Sequence, residues 1–96
     1  MEPVARQTPT PRGHDTETAV LALHSALRRR GVAAVAGDLP DSVRAEHAGR
    51  QITVRLVDGQ WWRPMPGEPS VTVPVARQGS EDLLARHLVS ELLGRL

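Results

Sequence analysis

His87 and Glu91 stand four residues apart, a spacing that brings two metal-ligating side chains together on one helix face. A metal site needs a third ligand, and the spacing of His14, His24 and His47 supplies none. The pair therefore reads as a solvated stripe continued by Arg95, and no metal is expected. The chain has no cysteine, which removes thiolate nucleophiles, Cys-based zinc sites and disulfides. It carries no glycine-rich phosphate loop, no His-Glu-x-x-His and no Gly-x-Ser-x-Gly. Its serines have no visible histidine–acid partners. Asp38 and Asp41 share one turn, and Glu81 and Asp82 share one helix start, so each acidic pair has a structural role and neither makes a catalytic dyad. The expectation is a non-enzymatic protein with no catalytic residues and no cofactor.

Recognition chemistry is better represented. Asp58-Gly59 is a two-residue hairpin signal, because both central positions of a type I′ turn need positive φ. That turn pairs Val57 with Gln60, Leu56 with Trp61 and Arg55 with Trp62. Alternation then sends Trp61 into the core with Ile52, Val54 and Leu56, and Trp62 to the opposite face beside Arg55, within reach of a cation–π contact. An exposed Trp with Arg neighbours is a composition favoured at protein interfaces. The candidate partner-binding residues are Arg55, Val57, Gln60, Trp62 and Arg63. They suit a small interaction, adaptor or regulatory protein that binds a protein partner, or a second copy of itself, through an open sheet face or a strand edge. Arg28, Arg29 and Arg30 are a candidate contact for phosphate or an acidic partner, although cations in a last helical turn also suit the helix dipole. Two alternatives follow: a nucleic-acid-associated regulator using these arginines with Arg44, Arg50, Arg55 and Arg63, and a small-ligand domain with an aliphatic pocket between sheet and helices.

The elements that must position these residues are short. Residues 1–15 carry Pro3, Pro9 and Pro11 without apolar periodicity and read as a disordered tail. Residues 16–96 read as one domain. Asp15 or Thr16 caps a helix over 16–30 whose face is Val20, Leu23 and Leu27, with Gly31 as its stop. Val32–Ala36, the run from Ser42, Ile52–Val57, Gln60–Arg63 and Val71–Val75 read as strands. Pro64, Pro66, Gly67 and Pro69 read as a loop, and Pro74 marks an edge strand. Ser80 caps a last helix with Leu84, Leu88, Leu92 and Leu96 on its buried side. The fold expected is α+β: an antiparallel sheet of four to five short strands, with an N-terminal and a C-terminal helix on one face.

Composition bounds the rest. The chain has 96 residues, room for one modest core. Aromatic residues make up 2%, so that core is aliphatic around the tryptophans. All 12 basic residues are arginine against 11 acidic ones, a net charge of +1 that gives no nucleic-acid or membrane footprint. The pI of about 9.0 reflects the absence of lysine, tyrosine and cysteine, not a basic surface. The arginine-for-lysine usage, with no Asn, Phe or Tyr, follows from a GC-rich genome. No run approaches the roughly 18 apolar residues of a membrane span, and no signal-peptide core follows the N-terminus, so a cytoplasmic protein is expected. Helix–strands–helix is also the order of double-stranded-RNA-binding domains. Their last helix opens on lysines, whereas here it opens on Gly79-Ser80-Glu81-Asp82, which repels phosphate.

Overall fold

The computed structural model describes residues 11–94, with side chains from residue 16 onward. Their order is α1 (Pro11–Arg29), β1 (Ala33–Ala36), β2 (Ser42–His47), β3 (Arg50–Val57), β4 (Gln60–Met65), β5 (Glu68–Arg77) and α2 (Glu81–Leu92). The strands form one antiparallel sheet in sequential order, β1-β2-β3-β4-β5. This is the α+β architecture that the periodicities imply.

Helix α1 starts at Pro11, ahead of the expected start at Thr16, so Asp15 and Thr16 lie inside it. A proline at the first helical position has the right fixed φ and lacks only an N–H that would be unpaired there anyway. The rest of the tail reading, residues 1–10, lies outside the described residues. The C-terminus of α1 is a Schellman motif. Gly31 sits at φ 82°, its N–H donates to the Arg28 carbonyl, and the Val32 N–H reaches back to the Leu27 carbonyl. Val32 is thereby buried against the helix it terminates.

In helix α2, Ser80 occupies the N-cap position but its side chain makes no capping bond. Glu81, the first residue of the helix, instead turns its carboxylate back to accept the Gly79 N–H at 3.0 Å, which fixes the loop that enters α2 without capping the helix itself. At the other end, Arg50 Nη1 donates to the Leu92 carbonyl and ties α2 to the β2–β3 turn.

Strand alternation divides the sheet into two faces. Val43, Ala45, Ile52, Val54, Leu56 and Trp61 point to one side, where Leu23 and Leu27 of α1 and Leu84, Leu88 and Leu92 of α2 complete a single core. Trp61 is the largest fully buried side chain. The alternative of a ligand pocket between sheet and helices finds these residues packed there, with a cavity of about 130 Å³ beside Arg63, Val75 and Leu88. No helix among the described residues is long and apolar enough to cross a membrane.

The expected loop over 64–69 is a hairpin. Pro66-Gly67 supplies the turn, with Gly67 at φ 85°, so β4 continues through Pro64 and β5 begins at Glu68. A register shift lies between Pro64 and Met65, and another lies between Trp61 and Trp62, near Pro74. Prolines in a ladder are confined to such irregular or edge positions because they cannot donate. β5 is an edge strand, as Pro74 requires.

The β2–β3 hairpin turns at Ala48-Gly49, with His47 paired to Arg50 and Ala48 at φ 50°. A left-handed conformation costs a non-glycine residue roughly 1–2 kcal/mol, and asparagine tolerates it better than alanine. Ala48→Asn is therefore expected to raise stability by about 1 kcal/mol. It should move the urea midpoint upward without changing the slope of the transition.

Candidate functional site

The β3–β4 hairpin has the register that Asp58-Gly59 demands. Asp58 and Gly59 sit at φ 51° and 77°, and the pairs are Val57↔Gln60, Leu56↔Trp61 and Arg55↔Trp62. The two indoles therefore leave on opposite faces. Trp61 is fully buried, whereas Trp62 lies half-buried on the face that neither helix covers.

Cross-strand rows show what that face presents. One runs Ser42–Arg55–Trp62–Pro74, the next Val57–Gln60–Arg77, and on the other side come Val35–Arg44–Thr53 and Ala33–Glu46–Gln51. The open sheet face and the β1–β2 loop line a groove of about 490 Å³ here, bordered among others by Leu39, Thr53, Arg55, Val57 and Trp62.

Two side chains at the centre of the groove are held in place. Trp62 Nε1 donates to the Val57 carbonyl at 3.4 Å. Arg55 Nε donates to the Pro40 carbonyl at 3.2 Å, which leaves its terminal nitrogens for other partners. Among the described residues no carboxylate pairs with Arg55. Its neighbour Arg44 differs, since it is neutralised by Glu46 at 2.6 Å on the same strand.

Of the residues singled out in the sequence, Arg55, Val57, Gln60 and Trp62 come together on this face. Arg63 borders the same groove, but its guanidinium is turned to the helix side, where it grips Glu91 of α2 with two bonds of 2.7 and 3.1 Å. The hydrogen bond from Arg63 pulls Glu91 below the ordinary glutamate value of 4.5, against a smaller upward push from burial. Glu91 thus stabilises the fold above the ordinary carboxylate range, and that contribution disappears as pH falls through its lowered value. Arg63→Met is expected to move the Glu91 titration, followed by its side-chain carbonyl resonance, upward, although Arg50 and His87 still favour the carboxylate. The Glu91 partner expected from sequence, Arg95, lies outside the described residues.

The Arg28–Arg30 run is occupied by the fold. Arg28 Nη2 donates to the Ala34 carbonyl on the free edge of β1 at 3.0 Å. Arg30 and Arg29 both approach Asp82 at the start of α2, at 3.0 and 3.6 Å. His24 lies on the same side of α1, and its pKa is lowered by burial and by the Arg28 charge, against a hydrogen bond to Ala34 that raises it. No cluster of three or more metal-ligating side chains occurs among the described residues.

Sequence reasoning missed the contribution of the β1–β2 loop. Asp38 and Leu39 form one wall of the groove, and Leu39 is 57% exposed. Turns have no apolar periodicity, so nothing in the pattern of Gly37-Asp38-Leu39-Pro40-Asp41 marks Leu39 as displayed. Comparison with protein-family models, with curated proteins and with solved structures returns no match.

Proposed function

We propose that this protein is a small non-enzymatic interaction protein, an adaptor or regulator, that binds a protein partner or a second copy of itself through the open sheet face. The observation that carries this reading is the pairing of a half-buried Trp62 with an Arg55 that lacks a carboxylate partner, in adjacent register on an uncovered face. Anchored aromatic and arginine side chains are where interface energy concentrates, and prior anchoring lowers the entropy lost on binding.

The strand edges favour the face over the edge. At β1, Arg28 occupies the Ala34 carbonyl, and β5 carries Pro69 and Pro74. Both are devices that blunt edge pairing. A nucleic-acid role draws less support, because Arg28, Arg29, Arg30, Arg44, Arg50 and Arg63 are all bonded within the fold. A cytoplasmic setting suits a cysteine-free chain, which needs no oxidising compartment.

A photo-crosslinking residue at position 60, beside Trp62, tests this in source cells. The full chain is expected to give a discrete adduct, reduced roughly tenfold or more by Trp62→Ala, as for an interface anchor. Light scattering of the purified chain separates a homodimer from a foreign partner. Identical adducts from wild type and Trp62→Ala, with a monomeric mass at high concentration, would overturn the reading.

A further inference from the structure

We propose that a second groove, between α1 and the β1–β2 loop, docks a basic amphipathic segment of a partner protein. It adjoins the open-face groove, with which it shares Leu39 and Ser42, and opens on the α1 side of the loop. Its volume is about 590 Å³, and Val20 and Leu21 of α1 face Leu39 and Pro40 of the loop across it. Leu21 and Leu39 are 60% and 57% exposed, the two highest values among the exposed large hydrophobic residues. Scattered exposed leucines need no explanation, but two lining one groove form a patch.

The loop shows that Leu39 is displayed rather than left loose. The Gly37 N–H donates to the Ser42 carbonyl and the Leu56 N–H to the Asp41 carbonyl, both at 3.0 Å. Ser42 Oγ donates to the Leu39 carbonyl at 2.6 Å, and Arg55 holds the Pro40 carbonyl. Three consecutive carbonyls are therefore satisfied from inside the molecule. Gly37 is required for this closure, since a Cβ there would collide with the Ser42 hydroxyl. A hydrophobic side chain on a loop fixed in this way loses little entropy when a partner covers it.

Charge selects the occupant. The charged residues lining the groove are Glu17 and Asp41. Neither is ion-paired among the described residues. An apolar floor with an acidic rim complements lysines or arginines flanking apolar anchors, and it repels nucleic acid and anionic membranes.

The test is titration of the ¹⁵N-labelled full chain with a fourteen-residue amphipathic peptide made only of Leu and Lys, and with its Leu/Glu counterpart. The Leu/Lys peptide is expected to shift amides of residues 17–21 and 36–42, with affinity falling as salt rises. Leu21→Ser, which touches only this groove, should weaken it about tenfold, whereas Val71→Ser, at an exposed valine on β5, should leave it unchanged. Retained spectral dispersion establishes that both variants fold. Equal affinity for the Leu/Glu peptide, shifts centred on Trp62, or no binding at millimolar peptide would overturn the proposal. So would self-association of the chain through residues 17–21 and 36–42, because the occupant would then be a second copy. Failure of this test leaves the open-face reading standing, since that reading depends on Trp62 and Arg55.

Discussion

Trp61→Ala is expected to cost about 3–5 kcal/mol, the range for deleting a fully buried large aromatic side chain. Native domains have about 5–15 kcal/mol in total, so the variant should lose a large fraction of its stability and unfold at a much lower denaturant concentration. The effect is large because of where Trp61 sits. It faces the core from β4, opposite Leu56, with α2 packed over it, and it is fully buried. No other aromatic side chain is available to collapse into the space, because the only other one, Trp62, points out of the opposite face. Trp62→Ala removes the same chemistry from a half-buried site with no cavity left behind, so its effect on stability should be a small fraction of that of its neighbour. Chemical denaturation of the two variants side by side checks this. Equal losses would mean that the indoles share an environment, which would also remove the open-face binding site.

The contrast between adjacent tryptophans was legible in the sequence, since a two-residue turn fixes hairpin register to a single residue and strand alternation does the rest. The two helices were legible for a similar reason: Leu23 and Leu27, and Leu84, Leu88 and Leu92, repeat at the spacing of one helix face. What sequence could not supply was the identity of long-range polar partners. Arg30 meets Asp82 across 52 positions, and Arg63 meets Glu91 across 28. An arginine run reads equally well as a phosphate contact or as a brace until its acceptors are placed. Alternation does put Arg63 on the side of Trp61; its charge is tolerated there because Glu91 reaches it. The hairpin at Pro66-Gly67 was hidden because its prolines, counted as strand breakers, are the residues that make the turn and fit the shifts in register.

Ser80 and Glu81 carry the same lesson into energetics, and Glu81→Ala is the second substitution expected to have a large effect. Ser80 is the stronger N-cap candidate by residue type. The structure gives the position to Ser80 and the bonding to Glu81, which is 6% exposed. One carboxylate accepts the Gly79 N–H and, at 2.9 Å, the indole N–H of Trp61. The glutamate therefore does three things: it fixes the loop that enters α2, it places negative charge at the positive end of the helix, and it satisfies the polar atom of the largest core side chain. Alanine leaves two donors without an acceptor, one of them fully buried. Hydrogen bonds to a charged group are worth about 1.5–3 kcal/mol, so a loss of that order is expected, and more if water cannot reach the indole. Trp61→Phe tests the bond from the other side, because it keeps most of the ring and removes the N–H. In a double-mutant cycle of Trp61→Phe with Glu81→Ala, direct contact requires a coupling of roughly 0.5–3 kcal/mol. Ser80→Ala should be nearly silent, since its side chain makes no capping bond. If Ser80→Ala costs as much as Glu81→Ala and the cycle shows additivity, the cap is the serine after all, and the buried carboxylate does not anchor the indole.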